Sequence, residues 1–348
     1  MTASPGRDGL PMLGIDVGGT KVLGVATNPA GEVLAEQRRE TLAAGSRLVD
    51  DLTELTAALL EDAGGSSQGG RQGDVATLGV GVPGLVDRSG ALCFAPNLLG
   101  ASGTEIKTAL EERLGGGVTV QVDNDATCTA AGECRFGAGR GLKDVLFVTL
   151  GTGIGGGLVS GGRIVRGAAN FAGEIGHTVV DPQGPPCGCG RRGCWERYAS
   201  GSGLGRIARD FALAGRAAKV MALAGDDADA VRGEHVVRAA REGDAEATEI
   251  LGEFAWWLAL GLANLANILD PEVIVIGGGL VRAADALFEP ARQAFRDQLE
   301  GAAVRPEIGL VPALLGDRGG AIGAAVLGLA GPAGDILSAR GPATAGAC

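Results

Sequence analysis

The sequence predicts an α/β protein of two lobes. Apolar runs typical of buried strands alternate with amphipathic stretches typical of helices, and this alternation indicates α/β lobes. The 348 residues are enough for two separate cores, and a hydrophobic fraction of 45% with a mean hydropathy of +0.20 indicates a well-packed protein. The 63 glycines follow no collagen-like period, so they favour many tight connections between strands.

The first elements form a β-meander over residues 13–38. Residues 13–17 are an apolar strand, and residues 22–27 are its predicted hairpin partner. The turn between them contains Asp16, Gly18, Gly19, Thr20 and Lys21. Glycines let backbone N–H groups approach the phosphate oxygens of a nucleotide, and the carboxylate can hold a metal ion, usually through water. The alternative is a plain hairpin turn that needs φ > 0, with the aspartate as a turn former.

The following elements continue the alternation. A helix is predicted over residues 47–62 with Ser46 as its N-cap, followed by a surface loop over residues 64–74. Further strands are predicted at residues 77–82 and 118–122. Helices are predicted at residues 104–114 and 125–135, several more within residues 203–269 including one over 245–269, and a last one at residues 319–329.

Two more glycine-rich turns follow predicted strands. The strand over residues 144–150 runs into a G-x-G-x-x-G sequence that begins with Gly151, Thr152 and Gly153. A dinucleotide site would need a helix directly after these glycines, whereas residues 158–165 are β-like, which favours a hairpin. The strand over residues 271–276 ends in Gly277, Gly278 and Gly279, and a helix resumes near Ala283.

The three turns resemble the phosphate-1, phosphate-2 and adenosine elements of the actin-like ATPase and sugar-kinase superfamily. Three motifs make the resemblance specific: Asn124-Asp125-Ala126, Gly173-Glu174-Ile175-Gly176-His177 and Cys187-Gly188-Cys189-Gly190-Arg191-Arg192-Gly193-Cys194-Trp195-Glu196. Together they resemble the ROK family of bacterial sugar kinases and repressors from about Leu13 to Leu329. Within that family the sequence is most similar to the ATP-dependent glucokinases.

The resemblance implies the two-lobed actin-like ATPase and sugar-kinase fold, with the active site in the cleft between the lobes. We expect a small lobe from residues 12–123 plus 316–331 and a large lobe from residues 124–315. Residues 1–11 and 332–348 are rich in small residues and proline, and we expect them to be flexible tails.

The implied activity is transfer of the ATP γ-phosphoryl group to the 6-hydroxyl of glucose, with Mg²⁺. An N-acetylglucosamine or N-acetylmannosamine kinase of the same family is the alternative, because its polar sugar contacts would be nearly the same. Nucleotide and Mg²⁺ are expected at Asp16, Gly18, Gly19, Thr20, Lys21, Gly151, Thr152, Gly153, Gly277, Gly278 and Gly279.

Asp125 is the predicted general base. Phosphoryl transfer to a hydroxyl needs a carboxylate that accepts its proton, and Asp125 follows a predicted strand at the start of a helix. The competing interpretation makes Asp123 or Asp125 only the helix N-cap. The ROK resemblance favours Asp125 as the base.

Sugar contacts are implied at Asn97, Asn124, Asp125, Glu174, His177 and Glu196. Carboxylates and an imidazole can each bond one or two hydroxyls of a polyol, and carboxylates are the stronger acceptors. Glu174 and His177 are three residues apart and would share a face of a helical turn. Asn97 follows Pro96, so a turn residue is the competing interpretation there.

His177, Cys187, Cys189 and Cys194 supply one nitrogen and three sulfurs, a recognised set of zinc ligands, in a glycine-rich loop. We expect a structural Zn²⁺, since four protein ligands leave no position for water, and the alternative is a loop of free thiols. Loss of the metal should affect sugar binding more than nucleotide binding, because the nucleotide elements are expected to lie elsewhere. Of the remaining cysteines, Cys93, Cys128 and Cys134 are expected in the core and Cys348 in the tail.

The net charge of −11 gives no support for nucleic-acid binding, which needs a basic surface. A sugar-responsive repressor would need a helix-turn-helix domain before the first strand, where about a dozen residues stand. No 18-residue apolar run and no export signal are present, so we expect a cytoplasmic protein. The resemblance suggests a homodimer or homotetramer.

Overall fold

The computed structural model describes residues 11–40, 47–63, 77–115 and 118–337. In that part the strands are β1 (Met12–Val17), β2 (Lys21–Thr27), β3 (Val33–Glu40), β4 (Thr77–Val82), β5 (Leu85–Val86), β6 (Leu92–Phe94), β7 (Thr119–Asn124), β8 (Val145–Leu150), β9 (Ile154–Ser160), β10 (Arg163–Ile164), β11 (Val273–Gly277) and β12 (Gly309–Pro312). The α-helices of the same part are α1 (Leu48–Asp62), α2 (Ile106–Leu114), α3 (Asp125–Phe136), α4 (Glu196–Ala199), α5 (Gly201–Leu213), α6 (Ala218–Leu223), α7 (Gly233–Arg241), α8 (Ala245–Leu269), α9 (Ala284–Gln298) and α10 (Gly319–Ala330).

The chain divides into two compact units. Unit 1 comprises Met1–Val145, Gly157–Gly173 and Leu314–Cys348, and unit 2 comprises Leu146–Gly156 and Glu174–Ala313. The limits of the two lobes predicted from the sequence, and the cleft between them, stay predictions.

Two five-stranded sheets and one two-stranded sheet organise the described residues. The first sheet has the order β3-β2-β1-β4-β7, in which β1, β2 and β3 are antiparallel neighbours while β1, β4 and β7 run parallel. The second has the order β10-β9-β8-β11-β12, with β11 and β12 parallel. β5 and β6 pair separately. These strands and the intervening helices confirm the predicted α/β class.

Glycines let helix α10 lie directly on the first sheet. A Cβ added to Gly14 of β1 would be 1.9 Å from the carbonyl oxygen of Ala321, and one added to Gly79 of β4 would be 1.7 Å from that of Ala324. No side chain fits at such distances, so sheet and helix meet backbone to backbone. The same unit contains an apolar core between this sheet, α1 and α2, in which Leu13, Leu52 and Leu110 are fully or almost fully buried.

Some sequence predictions fall outside the described residues or differ from the structure. Ser46, residues 64–74 and Cys348 lie outside the described ranges. Cys93 is exposed, not in the core, because β6 belongs to the two-stranded sheet and turns this side chain outward. Of the predicted tails, residues 1–10 and 338–348 are outside the description, whereas Ile336 is fully buried, so the folded part continues past residue 331.

Candidate active site

The carboxyl ends of β1, β4 and β7 bring two acidic side chains to one edge of the first sheet. Asp16 of β1 pairs with Gly81 of β4, which in turn pairs with Asp123 of β7. The predicted base Asp125 follows directly, at the start of α3. A Cβ added to Gly81 would be 3.1 Å from the Cys128 sulfur and 3.5 Å from Cα of Asp125, so the missing side chain leaves room at this edge.

The carboxylate of Asp16 has a strongly raised pKa. Burial raises its pKa to about 7, the neighbouring charge of Asp125 adds to the rise, and the ammonium of Lys21 opposes it. Gly320, in the first turn of α10, leaves the space that the carboxylate occupies, since a Cβ there would be 2.4 Å from Asp16 Oδ2. Two partly buried carboxylates near one another favour a bound cation, which offsets their repulsion.

The turn between β1 and β2 does not need glycine for its backbone angles, although a Cβ added to Gly18 would be 3.0 Å from the carbonyl oxygen of Lys21. Neither Gly18 nor Gly19 has a positive φ, so the alternative of a turn that needs φ > 0 is wrong. A Cβ added to Gly19 would meet nothing within 4 Å. Lys21 lies beside this turn, with Nζ 2.9 Å from Asp317 Oδ2, and both side chains are exposed. Close approach of a ligand remains a reason for the second glycine.

The N-cap of α3 is Asn124, not Asp123 or Asp125. Its Oδ1 accepts hydrogen bonds from the backbone N–H groups of Ala126 at 2.9 Å and Thr127 at 3.2 Å. Its Nδ2 donates to the carbonyl of Gly84 at 3.3 Å, and the Asn124 side chain also bonds the Asp125 carboxylate. The interpretation of Asp123 or Asp125 as the cap is therefore wrong.

The carboxylate of Asp125 accepts a hydrogen bond from the Ala126 backbone N–H at 2.9 Å. Burial raises the pKa of Asp125, and hydrogen bonds from the backbone of Ala126 and Asp125 and from the Asn124 side chain reduce the rise. A carboxylate with a raised pKa is a better proton acceptor than an ordinary one. Because Asn124 is the N-cap, Asp125 can accept a proton without loss of the hydrogen bonds that cap α3.

An unexpected ion pair lies directly before these residues. Arg166 contacts Asp123 through two bonds, Nε to Oδ1 at 2.8 Å and Nη2 to Oδ2 at 3.0 Å, and both side chains are largely buried. The pair neutralises a carboxylate two residues before Asp125 and fixes the end of β7. The partners are 43 residues apart, and no local pattern in the sequence points to the contact.

Asn97 lies in a turn after β6. The turn is closed by the N–H of Leu98, which donates to the carbonyl of Ala95 at 3.1 Å, and Asn97 itself is exposed. Asn97 therefore occupies a turn, as the competing interpretation expected. Its sugar contact stays a prediction.

The four predicted metal ligands come together in unit 2. The ligand atoms of His177, Cys187, Cys189 and Cys194 all lie within 4.8 Å of one another. The sulfurs of Cys189 and Cys194 are 3.5 Å apart, and the Cys187 sulfur is 3.7 Å from His177 Nδ1. Zn–S bonds of about 2.3 Å and Zn–N bonds of about 2.0 Å place tetrahedral ligands roughly 3.5 to 3.8 Å apart. This metal-ligand cluster therefore has the donor set and spacing that suit a structural zinc ion.

The residues of unit 2 that are predicted to bind the sugar lie at this cluster or next to it. His177 presents Nδ1 to the cluster, while its Nε2 is 3.9 Å from Glu174 Oε2. Glu196 Oε1 is 3.0 Å from the Cys187 sulfur and 3.7 Å from His177 Nδ1. Arg191 steadies the loop by donating to the carbonyl of His177 at 2.7 Å. One imidazole nitrogen thus faces the metal ligands and the other faces a carboxylate.

The predicted phosphate-2 turn, Gly151 to Gly153, lies against the same loop. A Cβ added to Gly153 would be 2.6 Å from Glu196 Oε2, and the N–H of Gly201 donates to the carbonyl of Gly151 at 2.8 Å. The expectation that the nucleotide elements lie apart from the metal loop is therefore wrong for this turn. A Cβ on Gly151 would meet nothing within 4 Å, so the fold leaves its outer side open.

In the predicted adenosine turn, packing within the fold requires two of the three glycines. Gly278 has φ +86°, and a Cβ there would be 2.5 Å from the carbonyl oxygen of Leu150. A Cβ on Gly277 would be 2.7 Å from the ring of Phe147. At Gly279 the nearest atom is Arg282 Nη2 at 3.5 Å, so only this glycine can be substituted without disturbing the packing.

The two sheets and their glycine turns define an α/β protein of the actin-like ATPase fold. The ROK sugar kinases among the structures similar to this chain have the same fold. The chain belongs to the ROK family, whose family model matches residues 12–330. Within the described residues, no helix has both the length and the apolarity to cross a membrane.

Similar proteins include kinases for two kinds of sugar. A glucokinase from Streptomyces coelicolor is 36% identical over 319 residues, covering 90% of this chain and 96% of that protein. The crystal structure of a ROK family glucokinase from Streptomyces griseus, in complex with glucose and AMPPNP, is 37% identical with a TM-score of 0.77 and covers 92% of this chain and 100% of that one. An N-acetyl-D-glucosamine kinase from Photobacterium profundum is 33% identical, covering 91% of this chain and 98% of that protein.

Proposed function

We propose that this protein is an ATP-dependent glucokinase that transfers the γ-phosphoryl group of ATP to the 6-hydroxyl of glucose. The observation that carries the proposal is the assignment of the α3 cap to Asn124, which leaves the carboxylate of Asp125 at the helix start for chemistry. The glucokinases among the similar proteins cover nearly the whole chain and support the choice of reaction.

In this proposal Asp125 accepts the proton of the sugar 6-hydroxyl as its oxygen attacks the γ-phosphorus. The raised pKa of the partly buried carboxyl strengthens it as an acceptor. The buried ion pair of Asp123 with Arg166 holds the end of β7, so the direction of the Asp125 side chain is set before substrate arrives. The leaving group is ADP, and the 6-oxygen keeps the phosphoryl group.

The nucleotide would be held by the predicted turns. Asp16 would hold Mg²⁺, which offsets the repulsion between the Asp16 and Asp125 carboxylates and neutralises charge on the phosphates. Gly19 and Gly151 offer backbone that no side chain covers, which supports close approach of phosphate oxygens there. Thr20 and Lys21 add donors at the first turn.

The sugar would be bound through Glu174, His177 Nε2 and Glu196, with Asn124 as a further contact. A zinc ion held by the metal-ligand cluster would fix the loop on which three of these groups depend, without an open position for chemistry. Because His177 turns Nδ1 to the cluster, its other nitrogen can bond a hydroxyl.

An N-acetylhexosamine kinase is the second candidate, and the similarity to the Photobacterium profundum enzyme favours it. The two candidates differ in the acetyl group of the sugar, so one assay separates them. The purified protein is given ATP and Mg²⁺ with glucose, N-acetylglucosamine, N-acetylmannosamine or mannose, and ADP release is followed by a coupled assay.

We expect glucose to give the highest kcat/KM. Asp125→Asn is the matched control for contaminating kinases, since it keeps the side-chain shape and removes the proton acceptor. A higher kcat/KM for an N-acetylated sugar would replace the proposed substrate. Absence of ADP release with every sugar would refute the kinase proposal.

A further inference from the structure

Trp195, in the cysteine motif, packs directly on the backbone of helix α8. Trp195 is completely buried, and its Nε1 donates to the carbonyl of Trp257 at 2.9 Å. One turn further along α8 stands Gly261, where a Cβ would be 2.0 Å from Cε2 of the indole. The indole therefore lies flat on the helix backbone. A glycine inside a helix costs about 1 kcal/mol relative to alanine, and here no larger residue fits.

The short helix that starts at Glu196 is held from a second side. Tyr198 stacks on Trp257 with ring centroids 4.0 Å apart and an interplanar angle of 29°. Its hydroxyl donates to Asp181 Oδ2 at 2.6 Å, and the backbone N–H of Trp195 donates to the carbonyl of Thr178 at 2.8 Å. Glu196 stands between two aromatic residues that both contact α8.

The two carboxylate oxygens of Glu196 face different parts of the site. Oε1 is 3.0 Å from the Cys187 sulfur in the metal-ligand cluster, while Oε2 lies where a side chain of Gly153 would have to be. Any shift of α4 by about 1 Å would move the carboxylate away from the cluster or into the predicted phosphate-2 turn, and displacements of that size can cost about 10²-fold in rate.

We propose that Trp195, seated on α8 at Gly261, is a positioning residue that holds Glu196 between the metal-ligand cluster and the phosphate-2 turn, and so couples sugar binding to nucleotide binding. The proposal rests on the proposed kinase function for its readout. It follows that disturbing this contact, which lies outside both predicted binding sites, changes affinity for both substrates together.

The test compares two alanine substitutions on the same helix. Gly261→Ala places a methyl group inside the indole, whereas at the exposed Gly252 an added Cβ meets nothing within 4 Å. KM and kcat for glucose and ATP are measured, with thermal unfolding and zinc content on the same samples. We expect Gly261→Ala to raise both KM values by about tenfold or more, and Gly252→Ala to leave them within about twofold.

A rescue variant separates positioning from general damage. Trp195→Leu combined with Gly261→Ala replaces the flat ring by a flexible side chain that can turn away from the methyl group, so both KM values should fall back toward those of Trp195→Leu alone, which lacks the Nε1 bond and the indole rings. A purely structural role would lower the active fraction and the melting temperature with both KM values unchanged, and that result would overturn the proposal. A rise in the glucose KM alone would also overturn it.

Calorimetry with a non-hydrolysable ATP analogue gives a readout that does not depend on turnover. If the wild-type protein phosphorylates no hexose, the proposed function fails, while the coupling is still decided by analogue affinity. Equal affinity of the wild-type and Gly261→Ala proteins for the analogue would overturn the coupling alone. A loss of about tenfold in Gly261→Ala, absent in Gly252→Ala, supports it.

Discussion

Gly153→Ala tests whether the phosphate-2 turn and Glu196 share one space. The new Cβ would be 2.6 Å from Glu196 Oε2 and 3.8 Å from Cδ, and among the described residues no third atom outside the neighbouring residues of the chain lies within 4 Å. A carbon and an oxygen in ordinary contact are roughly 3.5 Å apart, so the oxygen must move by about 0.9 Å. Gly153 has no positive φ, so alanine adds no backbone strain.

The displaced atom is the end of a flexible side chain, and the effect on stability should be small, within about 1 kcal/mol. The effect on sugar binding should be larger, because the carboxylate is turned away from the hydroxyl that it is proposed to bind. Loss of one hydrogen bond to a charged group costs about 1.5 to 3 kcal/mol, which corresponds to roughly 10- to 150-fold in the glucose dissociation constant.

The assay is calorimetry of glucose binding together with steady-state kinetics and thermal unfolding. Glu196→Asp shortens the side chain and removes the overlap, so Gly153→Ala should add little in the Glu196→Asp background. A Gly153→Ala protein with unchanged glucose affinity would refute the assigned sugar contact of Glu196. A larger loss of ATP affinity than of glucose affinity would show that the methyl group acts on the phosphates instead.

The remaining predictions concern the base, the metals and the adenosine turn. Asp125→Asn should bind glucose by calorimetry but lose about 10²- to 10⁴-fold in kcat, and a near-normal kcat would remove Asp125 as the base. Elemental analysis should find about one zinc per chain, and its removal should weaken nucleotide binding as well as sugar binding; active, zinc-free protein would contradict this. Because the pKa of Asp16 is about 7, protons should compete with Mg²⁺ as pH falls below 7, and the Mg²⁺ concentration for half-maximal rate should rise by about tenfold per pH unit, a dependence that Asp16→Asn should lack. Gly279→Val should raise the KM for ATP with normal folding, whereas Gly278→Val should fail to fold, since its Cβ would overlap the Leu150 carbonyl.

Local patterns were sufficient for the elements that carry the site. The long helix α8 has the predicted limits because Asp244 caps its start and the left-handed Asp270 ends it, and β4 is buried throughout. Helix α2 starts two residues later than predicted, since Thr104 is taken up by a turn with its hydroxyl on the carbonyl of Ala101. Such adjustments shift boundaries and leave the element in place.

Contacts between distant residues could not be predicted in the same way. The cap of α3 is Asn124, whose Oδ1 accepts from two successive N–H groups, while the Asp123 carboxylate is paired with the distant Arg166. One-dimensional propensities for Asp and Asn do not distinguish these positions. Trp195 and Trp257 are 62 residues apart, and a glycine inside an apolar helix, Gly261, is the local signal from which a close approach could have been predicted. The cluster of metal ligands was predictable because all four lie between residues 177 and 194, in a glycine-rich segment.

The dependence of the first sheet on α10 sets an order for synthesis. Gly14 and Gly79 admit α10 onto strands made near the beginning of the chain, and Glu133 of α3 accepts from the N–H groups of Leu314 and Leu315, 181 and 182 residues later. A nascent chain that has reached Ala313 has all of unit 2 but lacks these partners. During synthesis, β1 and β4 therefore have one face uncovered, which chaperones and proteases can reach, until α10 has been made.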